Sequence, residues 1–217
     1  MARRNPAVKR DDASSREQSR TRIARRAVVD AAAALFVESG YVATTVEAIS
    51  ARSGVPPATT YRLFDSKLGI LQAVLDTSIG GDDRDVAVRD RPAVVASLAE
   101  AEPEQIIAGV VAVTTGINRR GNALFHVLAA AAGSDASVAQ LWSNITEQRR
   151  RGQRQLTRTL ARRHALRDGL SEPRAADIVY ALLAPEVYRL LVVDRGWPPR
   201  RYQQWLSTML RDQLLGL

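Results

Sequence analysis

Residues 44–63 read TTVEAISARSGVPPATTYRL, and the order of residue types in this stretch decides how the chain folds. Thr44 followed three positions on by Glu47 has the spacing of a capping box, which predicts a short helix running to about Ser53 with Val46 and Ile49 facing inward. Gly54 permits a tight turn. Pro57 suits the first position of a second short helix, to about Leu63, because its fixed φ fits there and its missing N–H costs nothing. Ser50, four residues before Gly54, is small where the two helices must approach. Two short helices around a glycine turn have the dimensions of a helix-turn-helix.

Working outward, Val28, Ala31, Ala32, Leu35 and Phe36 fall at the spacing of one face of an amphipathic helix from Ile23 to Ser39, closed by Gly40. On the other side, Asp65 is placed to cap a fourth helix carrying Leu68, Leu71, Val74 and Leu75 and fraying at Gly80 and Gly81. The charged stretch from Asp82 to Pro92 reads as a linker or surface loop. Beyond it helices are expected near Pro92–Glu100, Glu104–Ala131 with a break around Gly116–Gly121, Ser137–Arg163, Glu172–Val193 with a kink at Pro185, and Pro199–Leu214. No run alternates with the period of a strand. The expected fold class is all-α: a basic, disordered arm over 1–19, an N-terminal three-helix helix-turn-helix domain over 20–80, and a C-terminal helical bundle over 81–217.

Composition narrows the function. The 217 residues carry 31 Lys and Arg against 23 Asp and Glu, a formal net charge of +8, with 46% hydrophobic residues and no cysteine. A disulfide scaffold and a thiolate site are excluded, and a reducing, cytoplasmic setting is expected. No apolar run approaches the roughly 20 residues of a membrane span, and the arginine-bearing start has no apolar stretch behind it. Met1–Arg26 holds nine basic residues against three acidic ones, so most of the excess charge is N-terminal. Such a segment is either a solvated extension or an arm that follows phosphates with salt-sensitive affinity.

The run RRAVVDAAAALFVESGYVATTVEAISARSGVPPATTYRLFDSKLGILQAVL, Arg25–Leu75, resembles the N-terminal DNA-binding domain of the TetR/AcrR family of transcriptional regulators. The matching residues are Ala31-Ala32, Leu35-Phe36, Gly40-Tyr41, Thr44-Thr45-Val46, Ile49, Gly54-Val55, Thr59, Tyr61, Phe64, Ser66-Lys67 and Leu71. Four places depart from the family pattern: Ser50 and Ala58 stand where Ala and Gly are usual, Thr60 where an apolar residue is usual, and Leu68-Gly69 where an acid is frequent. The resemblance implies DNA contact through Thr44, Thr45, Pro56, Pro57, Ala58, Thr59, Thr60, Tyr61, Arg62 and Lys67. Physically, the small side chains of 56–60 let a recognition helix sit deep in the major groove, and Thr59 offers a methyl suited to thymine. Thr45 and Lys67, at helix starts, and Tyr61 resemble phosphate-contacting positions, Tyr61 alternatively being a core aromatic. Thr60 either turns its hydroxyl to the preceding turn or faces DNA, and Arg62 reaches phosphate or base.

The second half, with Pro185-Glu186, Gly196-Trp197 and Trp205, looks like a regulatory domain found in one branch of the family. The resemblance implies a small organic effector held among Val111, Thr115, Asn118, Phe125, His126, Trp142 and Ile145, and a homodimer formed through Ile178, Leu182, Val187, Leu190, Leu206, Met209 and Leu210. The mainly apolar character of the first set predicts an effector with substantial apolar area, although the same residues also suit a bundle interior. The arginines between Arg149 and Arg163 read as a solvated helix face, or as contacts to an acidic ligand or DNA. His126 and His164, the only histidines, are 38 positions apart, so no metal site and no cofactor are expected. No G-x-S-x-G and no glycine-rich phosphate loop supports an enzyme. The implied function is a repressor that leaves a pseudo-palindromic, double-stranded operator when an effector binds. The rival is a helical ligand-binding or scaffold protein without specific operator binding.

Overall fold

A computed structural model describes residues 6–81 and 88–216 of the chain. All regular structure among them is helical, in two compact units, Met1–Val74 and Leu75–Leu217. Part of the segment read as a linker, residues 82–87, and residues 1–5 of the basic segment lie outside the described residues.

In the first unit, α1 spans Pro6–Ala43 with a non-helical break at Gly40, whose φ is 79°. It begins well before Ile23. From Pro6 the segment read as a disordered arm continues the helix, for neither glycine nor proline interrupts the sequence between Ala7 and Ser39. Val28, Ala32 and Phe36 are fully buried, and Phe36 meets Tyr41 at 5.6 Å between ring centroids. Helix α2 spans Val46–Ser53 and α3 Pro57–Phe64, joined through Gly54 in the left-handed region at φ 71°. The cap of α2 is Thr45, not Thr44: the Thr45 Oγ1 accepts from the Ala48 N–H at 3.1 Å. Helix α4, Lys67–Gly80, begins after Ser66, whose Oγ accepts from the Gly69 N–H at 3.1 Å. Asp65 instead closes α3, its N–H donating to the Tyr61 carbonyl at 2.7 Å.

The second unit adds α5 (Pro92–Ala99), α6 (Pro103–Ala132), α7 (Ala136–Arg162), α8 (Glu172–Leu182), α9 (Pro185–Tyr188) and α10 (Pro199–Leu214), with a 3-10 turn at Val88–Asp90. Helix α6 runs unbroken through Gly116 and Gly121, since flanking helical residues carry single glycines without a break. The single helix expected over Glu172–Val193 is divided instead. Pro185 has no N–H to continue α8, the chain restarts as α9, and a π-helical turn follows over Arg189–Asp194. The Asn122 amide of α6 donates to the Pro185 carbonyl at 2.8 Å inside the unit, tying α6 to the start of α9.

The core of this unit joins Ile106, Ile107, Val111, Leu156 and Leu160 to Val179, Tyr188, Tyr202, Leu206, Leu210 and Leu214. Leu206 and Leu210, expected at an interface between copies, have no exposed surface and belong to this core. The reason is the period of α10, on which Tyr202, Leu206, Leu210 and Leu214 recur every four residues and form one inward row. Tyr202 packs edge-on to Tyr188 at 5.0 Å. Burial raises both phenols above the ordinary tyrosine range, so both stay neutral at physiological pH.

Candidate nucleic-acid interface

Helix α3 is sorted into two sides by its own period. Thr60 and Phe64, four apart, are buried, while Pro57, Ala58, Tyr61 and Arg62 are exposed and Thr59 is half-buried. Tyr61 keeps 44% of its surface accessible, which places it outside the core. Thr60 lies wholly inside. Its Oγ1 accepts from the Ser50 Oγ at 3.2 Å and lies 3.2 Å from the Pro56 carbonyl as donor. The open alternative for Thr60 therefore resolves toward the preceding turn and away from any DNA surface. Its physical reason is that a hydroxyl buried between two helices needs local partners. Two of the family departures, Ser50 and Thr60, are thus one interaction pinning α2 to α3. Thr60→Val leaves the Ser50 hydroxyl unpaired and is expected to cost about 1–3 kcal/mol of unfolding free energy. In the double variant with Ser50→Ala most of that loss should be recovered, which chemical denaturation of the two proteins measures.

Thr44, expected at the DNA surface, is buried instead. It is 2% exposed and its Oγ1 donates to the Gly40 carbonyl at 2.7 Å, so it closes α1 where Gly40 breaks it. Thr45 beside it is exposed, and since its oxygen accepts from Ala48, its hydroxyl proton stays available to an anion.

Lys67 departs most from expectation. Its Nζ donates to the carbonyls of Tyr41 at 2.9 Å, Val42 at 3.4 Å and Thr44 at 2.9 Å, and lies 4.3 Å from the Tyr41 ring centroid. All three ammonium protons are committed within the protein, where they neutralise the carbonyl end of α1. The side chain is a positioning group that ties α1 to α4. Lys67→Met should cost about 1.5–3 kcal/mol of stability and leave the salt dependence of DNA binding unchanged, whereas a phosphate contact would lower the slope by about one. Thermal unfolding and a salt titration of the same variant separate these outcomes.

Other ties make the unit rigid. Arg25 donates to the Leu63 carbonyl at 3.1 Å and stacks 4.6 Å from the Phe64 ring, holding the end of α3. Arg52 engages both oxygens of Glu38 at 2.6 and 2.9 Å, linking α2 to α1. The hydrogen bond from Arg52 holds the Glu38 carboxyl below the usual carboxylate range. Both ties were missed from sequence, because neither spacing is one at which helical side chains meet.

In the second unit, Val111, Thr115, Asn118 and Phe125 are buried, and His126, Trp142 and Ile145 half-buried. They do not line the groove found there. That groove, of about 680 Å³, is bordered by Glu104, Gln105 and Ala108 of α6 and by Arg200, Gln203, Gln204, Ser207, Thr208 and Arg211 of α10. Of the expected interface residues, Leu190 is 53% exposed, and Ile178, Leu182, Val187 and Met209 are half-buried. Much of the arginine run is engaged within the chain: Arg150 and Arg151 pair with Glu147, Arg158 with Glu172, and Arg163 reaches carbonyls at the end of α5. Among the described residues no group of three His, Cys, Asp or Glu is placed to hold a metal, and no helix is long and apolar enough to cross a membrane.

Two short helices locked across a glycine turn, with one presenting a small-residue edge outward, define the helix-turn-helix class. Residues 28–74 match the family model described as bacterial regulatory proteins, tetR family, which identifies the N-terminal domain as one of that family. Solved structures share the fold across nearly the whole chain. SmeT in complex with triclosan superposes with a TM-score of 0.69 at 17% identity, covering 88% of this chain and 91% of that one. A TetR transcriptional regulator from Chloroflexus aurantiacus gives 0.64 at 23% identity over 90% and 98%. The TetR family regulator PfmR from Thermus thermophilus gives 0.60 at 20% over 88% and 95%. No curated protein matches the chain.

Proposed function

We propose that the chain is a homodimeric, sequence-specific DNA-binding transcriptional regulator, a repressor that leaves its operator when a small organic effector binds the C-terminal unit. The observation that carries this reading is the division of α3 into a locked inner row and a free outer one. Pro57, Ala58 and Thr59 are short enough to approach base edges, with Pro56 ahead of them at the turn. Tyr61, Arg62 and the free hydroxyl of Thr45 serve the phosphates on either side. In this assignment residues 1–19 add non-specific affinity, 20–80 read DNA, and 81–217 bind effector and partner.

A dimer supplies two such helices for two half-sites. Leu190 and Val193, exposed by 53% and 61%, together with Ile178, Leu182, Val187 and Met209, are its contact surface in this reading. The description of SmeT as the repressor of a multidrug efflux pump in Stenotrophomonas maltophilia, and its complex with triclosan, support the repressor and effector parts by likeness of fold. Selection of bound sequences from random double-stranded DNA tests the proposal. A pseudo-palindromic motif is the expected result. Failure to enrich any motif would favour the helical ligand-binding or scaffold alternative.

A further inference from the structure

The inward stripes of α6 and α7 change character part of the way along. On α6, Ile107 and Val111 are followed at helical spacing by Thr115, Asn118 and Asn122. On α7, Leu160 and Leu156 give way to Gln153, Arg149 and Thr146. The two helices pack as a hairpin through Gly133, Ser134 and Asp135, so residues equally far from that turn lie level. Thr115 is level with Gln153, Asn118 with Arg149 and Arg150, and Asn122 with Thr146. A seam that is apolar toward both ends, with Leu156 and Leu160 far from the turn and Leu128 and Val138 beside it, is therefore polar on both walls in its middle.

Asn122 uses its amide on Pro185. Four further groups, Thr115 Oγ1, Gln153 Oε1, Thr146 Oγ1 and Arg149 Nε, are enclosed and have no hydrogen-bond partner. Thr115, Asn118 and Gln153 are 5%, 2% and 8% exposed. From α10 the fully buried Tyr202 brings its hydroxyl to the Asn118 amide. Burial holds that phenol in its neutral, donating form, the Asn118 amide beside it acting in the opposite sense. Arg149 lies 4.8 Å from the centroid of the Tyr180 ring on α8. Neither helix of the seam answers it with a carboxylate: the one acid of α7, Glu147, is taken by Arg150 and Arg151, and the one acid of α6, Glu104, lies at its far end. Unpaired burial of several polar groups is unfavourable, and leucine or valine would fill the same positions as they do at the apolar ends.

We propose that this seam is the effector site and that it takes a small organic carboxylate bearing hydroxyl or amide groups, its carboxylate facing Arg149 and its polar body facing Thr115, Asn118 and Gln153. The proposal rests on the reading of the chain as an effector-released regulator and narrows it. A guanidinium stacked on an aromatic ring and lacking a carboxylate offers paired N–H donors to a planar anion. The donors and acceptors on the facing wall discriminate against purely apolar compounds, because such a ligand would leave them unpaired.

Thermal unfolding of the full chain with salicylate and 4-hydroxybenzoate, each against its neutral amide, provides the test. At least one carboxylate is expected to raise the melting temperature by about 3 °C or more at about 5 mM, with the amides well below it. Arg149→Met should remove this rise and Arg149→Lys should retain part of it. Without ligand, Thr115→Val and Gln153→Met should each melt about 2–4 °C higher than the parent, because a group kept for binding weakens the fold. Lower melting of both variants would mean that the groups hold structural water only, and would overturn the proposal. So would the absence of any carboxylate effect, an equal effect of the amides, or an undiminished effect in Arg149→Met. Gel shift on the selected DNA is measured separately. Arg149-dependent binding that leaves DNA bound would overturn release through this site, and a chain that binds carboxylate but no DNA would overturn the regulator reading alone.

Discussion

Leu206→Arg is expected to unfold the C-terminal unit, not to separate two intact subunits. Leu206 has no exposed surface and lies in the row of α10 that meets α6 and α8. Truncating a buried leucine alone costs about 2–5 kcal/mol, and an unpaired guanidinium in its place adds several more. The sum rivals the roughly 5–15 kcal/mol that keeps a typical domain folded. Circular dichroism should show the loss of cooperative melting. The comparison variants are Leu190→Arg and Val193→Arg, both at exposed positions on the π-helical turn. In the monomer they should change stability by no more than about 0.5 kcal/mol, while sedimentation reports the loss of a dimer. A folded, monomeric Leu206→Arg protein would return that residue to the interface.

Ala58→Glu should reduce DNA affinity more than a hundredfold while leaving the fold as stable as before or slightly more so. Ala58 is exposed in the first turn of α3, which carries no acidic residue. A carboxylate there interacts favourably with the helix N-terminus, by about 0.3–1 kcal/mol. Against DNA the same carboxylate is bulkier than the methyl it replaces and repelled by the phosphates, and close approach of the helix is lost. Gel shift and thermal unfolding should therefore move in opposite directions. Unchanged affinity would remove α3 from the interface. Thr59→Ala, by contrast, should cost about 1–3 kcal/mol at one base position only, a difference readable by competition between sites that vary there.

How far the sequence could be read depended on whether a feature was local. Gly54 and Pro57 mark the turn and the start of α3 through backbone restrictions of those two residues, and both stand where expected. The Thr45 cap was missed by one position because two adjacent threonines offer the same chemistry, and only the backbone break at Gly40 assigns Thr44 to α1. Lys67 shows the limit more clearly. A lone lysine at a helix start reads as a free cation, and nothing near it in sequence announces that Tyr41, Val42 and Thr44 present three carbonyls to it. The Ser50–Thr60 pair was visible as two separate departures but not as one bond.

The second unit divides in the same way. Helical period alone located α6, α7 and α10, because amphipathic spacing is a property of the chain itself. It also placed Leu206 and Leu210 on an apolar face, yet an apolar face packs equally well within a subunit or across two. Only the tertiary arrangement, which sets that row against α6 and α8, decides for the core. Likewise, polar residues at helical spacing on α6 and α7 read as ordinary exceptions within an apolar stretch. Folding brings the two stripes face to face and removes the water that would otherwise have served them, and that is what turns scattered polar positions into an unpaired seam.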